Sequence, residues 1–265
     1  DHYFTRSTRL GTWLQQAMRT KATLSLLLVL FGVLGLQAQV TVSGALSGNG
    51  DYTTLGAAVT AVGTSQSGAN VVITITGNTT EAAGGVSIGA GNWSSLTISP
   101  SGGSWTISGA ATAGTALLTL NGADNVTING LNTGGNALTI SNTTASATSG
   151  TATIRFAADA TNNTLTNLTI LGSSQTALAT NGGVVFFHTA TTTGNDNNTI
   201  SNCNIGPAGS NLPSKLIFAN GTATNDTTNN SGVTITNNNL YDYFLAGGGA
   251  AVYILGGNTQ WTVTN

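Results

Sequence analysis

Charged residues make up only 5% of this 265-residue chain, which also holds one cysteine, one methionine and three prolines. A lone cysteine, Cys203, leaves no intrachain disulfide to form. The helix formers Leu, Glu, Lys and Arg thin out after residue 40, which argues against an all-α fold. Basic residues are scarcer still. Beyond residue 38 only Arg155 and Lys215 remain, against seven acidic side chains, so that part of the chain carries a net charge of −5. No basic footprint exists for nucleic acid or for an anionic membrane surface.

Asn, Thr, Ser, Ala and 36 Gly residues fill the length instead. Low charge of this kind can signal disorder, but apolar residues recur here in register. Asn197-Asn198-Thr199-Ile200-Ser201-Asn202-Cys203-Asn204-Ile205 is preceded by Asn162 to Ile170 and followed by Ser231 to Leu240. The central residues Asn167, Asn202 and Asn237 are 35 apart. Such a period marks a repeat architecture in which no unit buries its apolar face alone. Alternation within each unit predicts short strands with Ile200, Cys203 and Ile205 pointing inward. Asn tolerates the left-handed backbone of a sharp corner. Stacked at about 4.8 Å, Asn167, Asn202 and Asn237 are expected to form a side-chain amide ladder. A second strand column runs through Thr153–Phe156, Val184–Phe187, Lys215–Phe218 and Ala251–Ile254. Phe156, Phe187 and Phe218, each 31 residues from the next, are expected to stack inside. Loops such as 189–196 and 220–230 vary freely between columns.

Residues 18–38 read as a bacterial-type signal peptide. Met18, Arg19 and Lys21 begin it, Leu24 to Leu36 is an apolar stretch of 13 residues, and Leu36-Gln37-Ala38 is a small-residue cleavage site. Thirteen residues fall short of the roughly 20 that cross a bilayer, so no stable membrane insertion is expected after cleavage. Residues 1–17 precede the first Met and are read as a non-native or over-extended leader. Residues 39–265 are assigned to the repeat domain. The last residues, Trp261-Thr262-Val263-Thr264-Asn265, open another unit, so the chain is expected to continue into further domains.

The columns and corner Asn residues resemble a right-handed parallel β-helix of the pectin-lyase-like superfamily, as in Asn/Thr/Gly-rich bacterial surface repeat proteins. The fold expected is therefore an all-β right-handed solenoid. Gly50 to Leu55 leads into Gly56-Ala57-Ala58-Val59-Thr60-Ala61-Val62. Thr53 or Thr54 suits an N-cap, and Leu55, Ala58, Val59 and Val62 share one helical face. This is similar to the short helix that plugs the N-terminal end of such β-helices, where an open edge would otherwise be exposed. Val72 to Thr76 is expected to be the first strand, and Glu81 stands where these proteins often carry Glu.

The resemblance implies carboxylate chemistry for enzymes of the superfamily: calcium held by several Asp residues, or an acid–base pair. Here Asp51, Asp124, Asp159, Asp196, Asp226 and Asp242 are scattered singly, so no catalytic residue, metal or cofactor is expected. Asp124 and Asp159 lie in corresponding turns and are explained as well by turn chemistry. Arg155, Phe186, His188, Lys215 and Tyr253 fall on outward strand positions and form a candidate binding patch. Its basic residues could meet a ligand carboxylate, and its rings could stack on sugars. Pieces such as Thr74-Ile75-Thr76 are similar to those of ice-binding solenoids, but along the sequence they show no register over several coils.

These readings point to a secreted or cell-surface stalk or adhesin, or a carbohydrate-interaction module, with polysaccharide or surface glycan as partner and no catalysis in this stretch. The alternative is a polysaccharide lyase, esterase or hydrolase whose catalytic coils lie outside it.

Overall fold

Short β-branched stretches separated by Asn and Gly turns cannot bury themselves singly, and in the computed structural model they stack. The structure describes residues 37–224 and 226–265. The leader 1–17 and the apolar segment 24–36 lie outside the described residues. Three parallel sheets build the domain. The first stacks Asn70–Ile75, Ser95–Pro100, Val126–Asn129, Thr164–Thr166, Thr199–Ser201, Thr234–Thr236 and Thr262–Thr264. The second runs from Thr79–Thr80 through Ser104–Gly109, Ala137–Asn142, Thr169–Gly172 and Asn204–Pro207 to Asn239–Leu240. The third holds Val86–Gly89, Ala116–Asn121, Ala152–Ala157, Gly183–Phe187, Lys215–Ala219 and Ala250–Ile254. The chain visits the sheets in turn, one strand in each per coil, so the fold is an all-β solenoid.

Period-2 alternation fills the interior. Ile73, Ile98, Ile128, Leu165, Ile200 and Ile235 are in register along the first sheet. Ile107, Ile140, Ile170 and Ile205 do the same along the second, and all ten are buried. Cys203 is buried among them, and burial pushes its thiol up to about 11, which keeps it protonated and unreactive.

The third sheet corrects one expectation. Phe156 and Phe187 stack inside, with ring centroids 4.4 Å apart and planes 2° from parallel. The residue in register with Phe187 in the next coil is Ala219, however, and Phe218 pairs with Phe186. The connection to that coil is one residue longer than an even 31-residue spacing implies. A slip of one residue turns every side chain to the other face of a strand, so Phe218 points outward.

The N-terminal end is closed in two ways. Val40–Ser43 pairs antiparallel with the edge strand Asn70–Ile75 and is itself covered by Gly50–Tyr52. The alternation in Val40-Thr41-Val42-Ser43 carried that strand, although it lies before Val72–Thr76, the expected first strand. Helix Leu55–Val62 lies over the core end and buries Leu55, Ala58 and Val62. Thr54 is its N-cap, accepting from Ala57 N–H at 3.1 Å. Glu81, from the first coil, accepts the next free helix donors: Leu55 N–H at 3.0 Å and Gly56 N–H at 2.9 Å. A carboxylate at a helix N-terminus satisfies orphan N–H groups and meets the positive end of the helix dipole.

Two columns of left-handed residues flank the first sheet. Asn167, Asn202 and Asn237 form one, as expected, with φ between 53° and 55°. Asn125, Asn162, Asn197 and Gly232 form the other. The expected amide ladder is not in the first of these columns. Asn202 and Asn237 are exposed, and the coils meet there through the backbone: Asn167 N–H to Ser201 C=O at 3.1 Å and Asn202 N–H to Thr236 C=O at 3.2 Å. A left-handed corner turns its side chain out of the stack; among the described residues, the one side-chain amide bond made by that column is Asn167 Nδ2 to Asn129 Oδ1 at 3.0 Å.

Buried amides join the coils elsewhere. Asn198 Oδ1 accepts from both the backbone N–H and Nδ2 of Asn163, each at 3.0 Å, and Asn198 Nδ2 donates to Ala160 C=O at 2.9 Å. Asn163 Oδ1 in turn accepts from Val126 N–H at 2.9 Å. A parallel column runs through Ala160 N–H, Asn195 and Asn230, with bonds of 2.8 to 3.0 Å, and reaches Asn258. Asn163, Asn195, Asn198 and Asn230 are fully buried. They match the general requirement that buried backbone donors find a partner.

Candidate functional site on the outer face of the third sheet

The register of the third sheet places Ser87, Thr119, Arg155, Phe186, Phe218 and Tyr253 in one outward row. Arg155 is half-buried, which lowers its pKa, yet a guanidinium stays charged. Its Nη2 donates to Thr119 Oγ1 at 3.3 Å, and its Nε, shielded from water, has no partner among the described residues. His188 follows Phe186 on the same face, with ring centroids 5.0 Å apart. Its Nδ1 accepts from Thr189 N–H at 2.6 Å. Burial first, and the Arg155 charge second, hold His188 below its ordinary pKa, so it is neutral at pH 7.

Two members of the expected binding patch are interior. Phe186 and Lys215 are both 0% exposed, and neither can meet a sugar ring. Phe186, Phe218, Ala116 and Ala152 form a second, smaller apolar cluster, flanked by Tyr253 and Leu255. Lys215 Nζ lies 4.2 Å from the centre of the Phe218 ring, a cation–π arrangement. All three of its ammonium donors reach the loop 173–182: Ala177 C=O at 2.7 Å, Leu178 C=O at 3.1 Å and Thr180 C=O at 2.7 Å. Burial pulls its pKa down to about 8, so it keeps its proton at pH 7. A row of outward aromatics read as a binding surface is thus a packed layer that one lysine ties to a loop. Arg155, His188 and Tyr253 stay partly accessible, but Phe186 and Phe218 stand between Arg155 and Tyr253, so these do not converge on one site.

The carboxylates are spread along the solenoid as ties between coils. Asp159 Oδ1 accepts four backbone N–H groups, from Thr191 at 3.1 Å, Thr192 at 2.9 Å, Thr193 at 3.0 Å and Gly194 at 3.2 Å, and Oδ2 accepts the Thr191 hydroxyl. Partial burial raises the carboxyl, but the bonds from Thr191 and the backbone outweigh it and hold Asp159 well below the usual carboxylate range. Asp124 accepts the N–H and hydroxyl of Thr161 at 2.8 and 2.7 Å. Asp196 accepts Ser231 N–H at 2.7 Å; burial nevertheless raises its pKa, with the Asp159 charge a smaller contribution. Turn chemistry accounts for Asp124 and Asp159. Among the described residues no group of three His, Cys, Asp or Glu side chains could hold a metal ion, and no helix is long and apolar enough to cross a membrane.

Sequence reasoning missed the roles of Asn163, Asn195, Asn198, Asn230 and Asp159. The 35-residue spacing of Asn163 to Asn198 and of Asn195 to Asn230 was the available signal. Comparison of the chain with protein-family models, curated proteins and solved structures found no match.

Proposed function

We propose that this chain is a structural solenoid of a secreted or cell-surface protein, a stalk or adhesin that holds its surfaces at fixed spacing and performs no catalysis in this stretch. The observation that carries the reading is how the carboxylates are used. Asp51, Glu81, Asp124, Asp159, Asp196 and Asp226 each accept a hydrogen bond from the chain's own hydroxyl, amide or backbone N–H groups. A glycosidase pair or a calcium site needs carboxylates that face each other and the substrate, and these face the protein. A right-handed, pectin-lyase-like coil remains the resemblance behind the proposal, and glycan contact belongs to it, made separately by Arg155 and His188 on one side of Phe218 and by Tyr253 on the other.

Two experiments test this. Purified full chain incubated with polygalacturonate, with and without calcium, should release neither unsaturated nor reducing sugars. Release that Asp124→Ala or Arg155→Ala abolishes would overturn the reading in favour of an enzyme. Exported from a bacterial host, the mature protein should begin immediately after Ala38; retention of the uncleaved chain in the cytoplasm would contradict a secreted stalk.

A further inference from the structure

The first sheet presents a surface that its sequence conceals. Its pairings put Thr97, Thr127, Thr164, Thr199, Thr234 and Thr262 in one outward row, one threonine per coil. Two residues further along each strand, Asn129, Thr166, Ser201, Thr236 and Thr264 form a second row. Among these Thr-x-Thr, Thr-x-Ser and Thr-x-Asn pieces, Thr164, Thr199 and Thr234 keep the 35-residue period, while loops of unequal length displace Thr97, Thr127 and Thr262 from it. The coils bring them back into register.

Three observations suggest what this surface fits. The first is spacing. Coils repeat at about 4.8 Å, and alternate residues of a strand lie about 6.7 Å apart. The rows therefore form a two-dimensional grid about 24 Å long, and oxygen atoms on the prism faces of hexagonal ice repeat at nearly these two distances. The second is unused hydrogen-bonding capacity. None of the six first-row threonine hydroxyls has a hydrogen bond within the protein among the described residues, although all are at least partly exposed. In the second row, Ser201 donates to Thr166 and Thr264 to Thr236, each at 3.0 Å, which fixes those hydroxyls in place. The third is the absence of charge. Neither row holds an ionised side chain, which would impose its own hydration on the grid. β-Branched side chains are also stiff at χ1, so little rotamer entropy is lost when water orders over them.

The other sheets differ. The row Thr106, Thr139 and Thr169 of the second sheet gives way to Asn204 and Asn239. The third sheet is interrupted by Arg155 and by the buried aromatic layer.

We infer that the outer face of the first sheet binds ice, with threonine methyls and hydroxyls holding a layer of water in the lattice spacing of the crystal. This function is independent of the stalk reading, and either can stand if the other fails.

Purified full chain, fluorescently labelled, is frozen slowly onto an ice hemisphere, and the melting–freezing gap and crystal shape are recorded alongside. The chain should concentrate in the ice and shape the crystals. Thr199→Tyr, mid-row, should lower both to the level of a protein that does not bind ice. Thr139→Tyr, on the second sheet, should leave them intact. Circular dichroism confirms that each variant is folded, and Thr164→Lys replaces Thr199→Tyr if that variant is not. Exclusion of the folded wild-type chain from ice overturns the inference, as does full ice binding by folded Thr199→Tyr or Thr164→Lys. Binding to powdered chitin or cellulose, lost in Thr199→Tyr and unaccompanied by ice binding, overturns it in favour of a crystalline polysaccharide.

Discussion

Two sets of asparagines share the 35-residue period and do different work. Asn202 sits at a corner with φ of 53° and an exposed side chain. Asn198, four residues earlier, is fully buried and takes part in three side-chain hydrogen bonds to the preceding coil. The corner residue is selected for backbone conformation, the buried one for an amide that is donor and acceptor at once. Periodicity alone does not distinguish them. Burial does, because a buried amide left unpaired costs far more than an exposed one.

The largest effect should follow from breaking the buried set. Asn198→Ala leaves the N–H and Nδ2 of Asn163 and the C=O of Ala160 without their partner and should destabilise by about 3 kcal/mol, read as a lower urea midpoint. Lys215→Ala comes next. It frees three loop carbonyls and uncovers Phe218, at about 2 kcal/mol, and protease should then cut within the loop 173–182. Asn202→Ala should cost no more than about 1 kcal/mol, the strain of a left-handed alanine. Equal midpoints for Asn198→Ala and Asn202→Ala would erase the distinction between the two sets.

Two smaller effects depend on pH. Asp159 has a depressed pKa in the fold, so the unfolded chain binds its proton first as pH falls. The stability it contributes is present above about pH 4, the ordinary carboxylate value, and is lost below it. Asp159→Asn should flatten the acid side of the stability curve; an unchanged slope would show that the backbone bonds of loop 191–194 do not hold that charge. For His188, Arg155→Gln should raise the pKa observed by NMR, since the nearby positive charge holds it down. No movement would mean that burial alone sets it.

Much of the fold was legible in the sequence. The column strands, the inward Ile200, Cys203 and Ile205, the helix at Leu55–Val62 and its Thr54 cap all follow from alternation, period and capping chemistry. What was not legible depends on loop length and on which face is covered. An extra residue before Ala219 moved Phe218 outward. The loop 173–182 covers Lys215, and Phe186 packs among Ala116, Ala152 and Phe218, although alternation had assigned both to solvent. The threonine rows were partly legible, since Thr164, Thr199 and Thr234 keep the 35-residue period, but unequal loops hid that Thr97, Thr127 and Thr262 extend the row. The strand Val40–Ser43 was readable but lay close to the apolar stretch 24–36 and ahead of Val72–Thr76, the expected first strand.

Native-state hydrogen exchange at the backbone amides of Val126, Ala160, Asn163 and Asn195 tests the buried columns most directly. Each of these N–H groups donates to a buried asparagine side chain of the following coil. The account predicts that all four exchange as slowly as the central strand amides, and that Asn198→Ala accelerates Asn163 well beyond Asn195. Exchange at these positions as fast as in the exposed loop 209–211, in the unmutated protein, would contradict it.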